Sequence, residues 1–443
     1  MSCNDPVHGS GDRPEFDPFR LQHTAEARQR HFVGLSLSRD GSSLAGSVVQ
    51  TFGAGLEAEA RAVSSMSLQL PASLRKRWQD FDELSSPPGG FAGEVPVMLA
   101  ELAEYQATMV HRLMTETRLG PDQLLAIGVE DPGLWCELQE NHRCYLGLCD
   151  AARLSEATGI SVIDGFPARD VSQNGRGGPL NLLPFWILLR SIDSSATSTW
   201  FVVELKRSIR VSCFLFSAAD SLPRVLSFPV EPGLLLLDFL VSKMTAGEQA
   251  IDQGGRLAVQ GQKIPELLDA WKAVDAFQEP SPWSPRAVRP VAFIERLEEL
   301  PHHDLWSLQD ILCTATHLIA EGIERAVERC RTADDRVGAQ GVLYGGGSEN
   351  GLIVQQIRAR LCETSWCVPR DLELEDAALG STQAALLALL HVDHVPANLP
   401  QLTGAETPRV LGRLTPGTPF NWHRLLELMA QNKPSMVSLR RAM

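Results

Sequence analysis

The stretch V-L-Y-G-G-G-S-E-N at residues 342–350 decides the fold prediction. A short apolar run, 341–344, leads into three glycines and then into a predicted helix over 351–361. Because glycine has no Cβ atom, the backbone of Gly345, Gly346 and Gly347 can approach a phosphate or an adenosine closely. The helix that follows offers free N–H groups in its first turn. The pattern is typical of a nucleotide-contacting turn, and the glycines alone fit a plain strand-to-helix turn equally well.

Four short motifs follow the glycines in order. An Ala/Leu-rich helix is predicted over 377–390, and after it come N-L-P, T-G-A, V-L-G and T-P-G at 398–400, 403–405, 410–412 and 415–417. This series resembles the C-terminal third of the anhydro-N-acetylmuramic acid kinases. The resemblance implies an α/β, two-lobed actin/hexokinase-like (ribonuclease H-like) kinase fold with an interdomain cleft. It also implies an enzyme that opens a 1,6-anhydro amino sugar by hydrolysis and phosphorylates it with ATP in peptidoglycan recycling.

The composition of the whole chain narrows the function classes. The chain has 443 residues, is 44% hydrophobic and carries a formal net charge of −14 without a basic patch. A nucleic-acid partner is therefore not expected. No apolar window of about 18 residues predicts a membrane span, and the N-terminus lacks the apolar segment of a signal peptide. Nine scattered cysteines without a C-x-x-C pair favour a reducing, cytoplasmic location.

The predicted organisation is an extension followed by two lobes. Residues 1–28 are polar and rich in Gly, Pro, Asp and Arg, which favours a disordered N-terminal extension. The resemblance assigns 29–160 together with 405–443 to the first lobe and 161–404 to the second. Members of the family are often dimers, so a homodimer is a further expectation. The small-molecule partners would be the amino sugar and the nucleotide.

An N-terminal phosphate turn is expected between two strands. Apolar alternation around an Asp-Gly pair over 31–49 predicts a β-hairpin. In the family a hairpin reading G-L-M-S-G-T-S-L-D-G grips the ATP phosphates, and the resemblance assigns nucleotide contacts to Ser38, Asp40, Gly41 and Ser42. The family's glycine and aspartate are both displaced in this sequence. The turn therefore departs from the family at the place where the phosphates bind.

The catalytic residue is predicted within D-G-F-P-A-R-D-V-S-Q-N-G-R-G-G-P-L at 164–180. The family has D-F-R-x-R-D-x-A-x-G-G-x-G-A-P-L, and the resemblance makes Asp170 the base that takes a proton from the attacking water. It also gives sugar contacts to Arg169 and Gly177. From the residues alone, an aspartate that pairs with Arg169 or caps a loop is the favoured interpretation.

Other motifs depart from the family at the phosphate and sugar sites. Lys206 and Arg207 stand where the family has two glycines against a phosphate. Long side chains there either fill the space or bind an anion by charge. Pro229 replaces a metal- and phosphate-facing aspartate, and Glu231 replaces a glycine. A strand predicted within 121–129 runs into E-D-P-G in place of the family's sugar-contacting G-Q-T.

The glycine turn is the best-kept nucleotide motif. The resemblance assigns ATP contacts to four residues, Gly345, Gly346, Gly347 and Asn350, and implies Mg as the accompanying ion. No metal site is predicted from the side chains. One group of possible metal ligands comprises Cys136, His142, Cys144 and Cys149. The spacing of these residues fits no common zinc site. A second pair, His391 and His394, is better interpreted as facing solvent.

The sequence leaves two hypotheses for the function of the chain. The first is a divergent anhydro-sugar kinase whose catalysis is impaired or altered, with a rebuilt phosphate site around 36–43 and Lys206-Arg207. The second is a catalytically inactive homologue, a pseudokinase that acts as a sugar or nucleotide sensor or as a protein-interaction module. Geometry discriminates between them, because phosphoryl transfer works through positioning and charge neutralisation. Pro229, Glu231, Lys206 and Arg207 lining the phosphate end of the cleft would weaken the kinase hypothesis.

Overall fold

The computed structural model of the chain describes residues 29–38, 41–83, 91–139, 142–192, 199–215, 224–278, 290–331 and 339–431. The predicted extension, 1–28, lies outside these ranges. The described strands are β1 Arg30–Leu37, β2 Ser43–Phe52, β3 Glu59–Gln69, β4 Leu124–Glu130, β5 Leu134–Gln139, β6 His142–Leu146, β7 Ser161–Asp164, β8 Trp200–Leu205, β9 Ile209–Leu215, β10 Arg224–Val230, β11 Gln340–Tyr344, β12 Ser365–Cys367 and β13 Arg413–Thr415.

The described α-helices lie between groups of these strands along the chain. They are α1 Ala72–Glu83, α2 Phe91–Thr117, α3 Ala151–Thr158, α4 Pro167–Val171, α5 Leu182–Ile192, α6 Leu235–Met244, α7 Pro265–Lys272, α8 Asp275–Gln278, α9 Val291–Glu298, α10 Leu308–Cys330, α11 Gly351–Arg360, α12 Leu379–Val392, α13 Pro400–Thr403 and α14 Pro419–Gln431. None of them is long and apolar enough to cross a bilayer.

Two large sheets repeat one plan. The first has the order β13-β7-β4-β1-β2-β3 and the second the order β10-β9-β8-β11-β12. In each, a three-stranded antiparallel meander comes first along the chain, and its first strand then pairs in parallel with a later strand, β1 with β4 and β8 with β11. The parallel strands carry near-continuous apolar runs, as expected for strands that are buried on both faces.

Helices cover both faces of both sheets. The layer between the sheets contains α5 and α12, which share one apolar core with residues of both sheets. The outer face of the first sheet packs on α2, and the outer face of the second packs on α10. Helix α12 lies very close to the first sheet, since a Cβ atom on Gly128 would meet the carbonyl oxygen of Ala384 at 2.1 Å. A side chain at Gly128 is therefore incompatible with this packing.

The main elements predicted from the sequence are confirmed within a few residues. They include the hairpin over 31–49, the long amphipathic helix that becomes α2, and the Ala/Leu-rich helix that becomes α12. Helix α3 ends at Gly159 in the left-handed region, φ 76°, as a C-terminal glycine predicts. The division into lobes at 160 and 405 stays a prediction. In the sheets, β7 (Ser161–Asp164) pairs with β4 of the first sheet, and α12 packs against that sheet as well.

Candidate active site between the two sheets

A cleft of about 1200 Å³ separates the two sheets. The first sheet contributes the β1–β2 turn and the carboxyl end of β4. The second contributes the β8–β9 turn, the glycine turn after β11 and the segment 250–254. The carboxyl ends of parallel strands in open α/β sheets are where ligands bind. The cleft is therefore the candidate active site.

The glycine turn after β11 forms one wall of the cleft. Gly345 has φ +95°, and a Cβ atom there would lie 2.7 Å from the Leu205 carbonyl oxygen, so only glycine fits. The Gly345 N–H donates to both carboxylate oxygens of Asp376, at 3.0 Å each. Gly346 is exposed to the cleft, and a Cβ atom on it would meet no atom within 4 Å. Gly347 also lines the cleft. The turn is rigid at Gly345 and open to a ligand at Gly346.

Asn350 closes the glycine turn by capping α11. Its Oδ1 atom accepts a hydrogen bond from the Ile353 N–H at 3.1 Å, which satisfies one of the unpaired donors at the helix start. A Cβ atom on Gly255 would lie 2.2 Å from the same Oδ1 atom. Asn350 lines the cleft and lies against Gly255, which follows the segment 250–254. Its role in nucleotide binding stays a prediction.

The predicted phosphate turn between β1 and β2 is held together by its own hydroxyl groups. The Ser38 Oγ atom accepts from the Ser43 N–H at 2.9 Å and lies 3.3 Å from the Ser42 Oγ atom. Gly41 has φ +67° and packs against Trp78, since a Cβ atom there would lie 2.6 Å from the indole ring. Ser38 lines the cleft. Asp40 lies outside the described residues.

Asp170 is fully buried, with 0% of its surface exposed. Its Oδ1 atom accepts hydrogen bonds from Asn398 Nδ2 and Thr403 Oγ1, both at 2.7 Å. Its Oδ2 atom accepts from the Gly177 N–H at 2.8 Å. The carboxylate therefore holds the loop that ends at Gly177, as the loop-capping interpretation predicts. Arg169 is exposed, and Gly177 lines the cleft.

Two carboxylates to which the sequence motifs assign no role lie at the end of β4. Glu130 is exposed to the cleft, and its carboxylate accepts a hydrogen bond from Ser36 Oγ at 3.4 Å. The surrounding protein groups partly desolvate this carboxylate, which raises its pKa. Asp131 is 7% exposed, lines the cleft, and accepts from the Leu148 N–H at 2.7 Å and the Tyr145 hydroxyl at 3.0 Å. Burial raises the pKa of Asp131 to about 6. The sequence signal was their position directly after a buried strand.

The β8–β9 turn brings a lysine to the middle of the cleft. Lys206 Nζ lies 2.7 Å from Glu204 Oε1 and 5.4 Å from the centre of the Tyr344 ring. Burial alone would lower the pKa of Lys206, but the charges of Glu204, Glu130 and Asp376 raise it above its usual value. Lys206 is therefore a cation at neutral pH, placed between the two sheets.

The remaining replacements also line the cleft. Pro229, Glu231, Lys206 and Arg207 are all part of its wall. Burial raises the pKa of Glu231 to about 7, although the Gly233 N–H hydrogen-bonds its carboxylate and acts in the opposite direction. Burial likewise raises the pKa of Asp238 to about 6, and the Arg207 charge opposes that shift. The side chains that replace the family's phosphate motifs thus face the space where a ligand would bind.

A metal site built from side chains is not seen in the ranges that the structure describes, which contain no group of three or more His, Cys, Asp or Glu residues suited to an ion. His391 Nδ1 is hydrogen-bonded to the Leu411 carbonyl at 2.6 Å, and His394 Nε2 to the Met429 carbonyl at 3.2 Å. Each ring is thus directed to a backbone group. The side chains of Cys136 and His142, from the other candidate cluster, are outside the described set.

Residues 32–417 match the family model of anhydro-N-acetylmuramic acid kinase. The chain belongs to this family. A Gloeobacter violaceus protein named anhydro-N-acetylmuramic acid kinase is 27% identical over 389 residues, which cover 87% of this chain and 98% of its own. A protein of the same name from Caldanaerobacter subterraneus subsp. tengcongensis is 24% identical over 404 residues, covering 89% and 99% respectively. Among solved structures, xylulose kinase from Lactobacillus acidophilus is similar at 9% identity, with coverage of 93% and 98% and a TM-score of 0.41.

The family assignment and the two-lobed kinase fold predicted from the sequence are confirmed. The match spans the hairpin, the residues that line the cleft and the Ala/Leu-rich helix. The family membership does not depend on the phosphate motifs being intact. The activity of this particular cleft is a separate question.

Proposed function

We propose that this family member binds ATP and a 1,6-anhydro amino sugar in the cleft, and that its phosphoryl transfer is impaired or altered. The observation that carries the proposal is the set of replacements along the cleft wall, Pro229, Glu231, Lys206 and Arg207. A phosphate site depends on positioning and on neutralised charge. Glu231 adds a carboxyl group where the family has a glycine. Once it is ionised, above its pKa of about 7, it repels a phosphate at about 4 Å by about 1 kcal/mol in water and by more when the two are partly buried.

The residues present fit a nucleotide. Gly345, Gly346, Gly347 and Asn350 would hold its nucleoside, and Gly346 leaves the space that a close approach needs. When bound, ATP supplies the phosphoryl group. The side chains do not fit a protein-built magnesium site in the same way. Among the described residues, Glu204 is paired with Lys206, and Asp376 is bound to the Gly345 N–H.

The buried environment of Asp170 favours a slow reaction. A general base must come within hydrogen-bond reach of the proton that it removes. Asp170 is buried, and its two oxygen atoms accept hydrogen bonds from Asn398, Thr403 and the Gly177 N–H. Its Oδ2 atom keeps one acceptor site, but to act as the base that the family resemblance implies, the buried carboxylate must first be reached by a water molecule, which requires the surrounding loop to open. This requirement adds to the activation barrier.

The same observations favour a second candidate, a catalytically inactive homologue. Such a pseudokinase would keep the cleft as a sensor for a sugar or nucleotide, or as a protein-interaction module. Product formation separates the two candidates, whereas nucleotide binding does not. The cytoplasmic location and the homodimer stay predictions.

The test combines binding and turnover. Isothermal titration with a non-hydrolysable ATP analogue, with and without Mg²⁺, measures whether the cleft takes a nucleotide. Incubation with ATP and a 1,6-anhydro amino sugar, followed by mass spectrometry, measures a phosphorylated, ring-opened product. We expect nucleotide binding and a turnover far below the value of about 10 s⁻¹ that is typical of enzymes. Turnover near that value would refute the impairment, and no binding at millimolar ligand would refute the proposed function.

The Asp170→Asn variant is the matched control for turnover. It must first be shown to fold, because Asp170 holds a loop. If the folded variant loses all product formation and still binds nucleotide, Asp170 is the base. If the wild type forms no product, the second candidate stands.

A further inference from the structure

Lys206 lies in contact with the glycine turn. A Cβ atom built on Gly345 would be 3.0 Å from Lys206 Cγ, so the lysine stem packs directly beside that glycine. The side chain continues over the Tyr344 ring, and 54% of it remains exposed to the cleft. A ligand seated on the open face of Gly346 is therefore next to the lysine side chain.

One carboxylate pairs with this ammonium group and two others act on it through their charges. Glu204 pairs with it at 2.7 Å, and Glu130 and Asp376 act on it through their charges. Glu130 belongs to the first sheet, whereas Glu204 belongs to the second. Phosphoryl-transfer sites generally place a divalent cation among acidic side chains, where it neutralises the phosphate oxygens. Here the cation among the acidic side chains is part of the chain itself.

We propose that the Lys206 ammonium replaces the divalent cation, so that the chain binds the phosphates of a nucleotide without a metal ion. This inference rests on the proposed function, because it assumes that the nucleotide occupies the cleft. An ammonium group has three donors and binds phosphate as a point charge. Its positive charge also disfavours a second cation among the same carboxylates. Mg²⁺ therefore adds nothing to the affinity of the protein for the nucleotide.

A purely structural role for Lys206 makes a different prediction for one variant. If the lysine only neutralises Glu204, then Glu204→Gln leaves an unpaired cation and gives no gain in ligand affinity. If the lysine serves the phosphates, the same variant removes a competing carboxylate, and the affinity for the nucleotide rises. The two interpretations therefore differ in whether Glu204→Gln raises the affinity for the nucleotide.

The experiment is isothermal titration of the full chain with adenylyl imidodiphosphate, in EDTA and in excess Mg²⁺. The variants are Lys206→Met, Lys206→Arg, Glu204→Gln and, as a matched control, Lys243→Met. Lys243 is an exposed lysine on α6 that pairs with Glu298 away from the cleft. Circular dichroism and thermal unfolding establish that each variant is folded.

We expect the wild type to bind equally in EDTA and in Mg²⁺. Lys206→Met should weaken binding by about tenfold or more, the loss expected for one charge-assisted hydrogen bond. Lys206→Arg should retain most of the affinity, Glu204→Gln should tighten binding, and Lys243→Met should change nothing.

Binding that strengthens in Mg²⁺, or a folded Lys206→Met protein with unchanged affinity, overturns the inference and leaves the proposed function intact. Absence of binding by the wild type in both conditions overturns the two together. These outcomes are distinguishable, since only the last one lacks binding heat in the unmodified protein.

Discussion

Glu231 lies in the wall of the cleft, and its burial raises its pKa to about 7 from a usual value of 4.5. The folded protein therefore holds a proton on Glu231 in a pH range where the unfolded chain has released it. The contribution of this group to stability is complete below pH 4.5 and is lost as the pH rises through 7. At about 1.4 kcal/mol per pH unit, ionisation of Glu231 at pH 8 costs the folded state about 3 kcal/mol.

Glu231→Gln removes that cost, because glutamine has nearly the same shape and does not ionise. We expect the variant to be more stable than the wild type by up to about 3 kcal/mol at pH 8, and equally stable near pH 4. Urea unfolding followed by circular dichroism measures the free energy of unfolding at both pH values. The comparison between two pH values cancels any effect of the substitution that does not depend on ionisation.

Glu298→Gln is the control with the opposite sign. A hydrogen bond from Lys243, helped by the lysine charge, lowers the pKa of the exposed Glu298. Removing this carboxylate should therefore give no gain in stability at pH 8. If Glu231→Gln shifts stability equally at pH 4 and pH 8, the pKa of Glu231 is not raised. In that case burial in the cleft does not disfavour the ionised form of this carboxyl group.

Three further substitutions test the packing around the cleft. Gly128→Ala should lower the free energy of unfolding by about 3 kcal/mol, because its Cβ atom would collide with the Ala384 carbonyl. A cooperative urea transition with the wild-type midpoint would contradict this. Asp393→Ala removes the counter-charge of the buried Arg30 guanidinium, which keeps only the Gly53 carbonyl as an acceptor among the described residues, and should cost about 3–5 kcal/mol, measured in the same way. Asp170→Asn places an amide against the Gly177 N–H and should cost about 1–3 kcal/mol, with unchanged stability as the contrary result.

The sequence predicts the elements of this fold well because their signals are local. A glycine triplet after an apolar run marks the end of β11, and an Asp-Gly pair between alternating residues marks the β1–β2 hairpin. Both signals need only a few neighbouring residues. The strand order needs more, since β8 pairs with β11 across about 140 residues of chain. Periodicity predicts the strands but does not predict this order.

The contacts of the site could not be predicted from local patterns. Lys206 is exposed to the cleft, yet its environment is set by Glu130, 76 positions earlier, and by Asp376, 170 positions later. The Glu130-Asp131 pair was noted only as a departure from a family motif. Its place in the cleft depends on the twist and packing of the first sheet, which no window of sequence reports.

The internal partners of Asp170 change the meaning of the family motifs. Asn398 lies in N-L-P and Thr403 in T-G-A, and both donate to the Asp170 carboxylate, which in turn accepts from Gly177 in the motif 164–180. Three separate stretches that carry the resemblance therefore form one hydrogen-bonded unit. Each needs the others, because a buried carboxylate without donors costs several kcal/mol. The stability of the fold alone is a sufficient reason for these motifs to be kept, so their presence does not by itself establish catalysis. The function is tested by substitutions of Lys206 and Glu231 in the cleft wall.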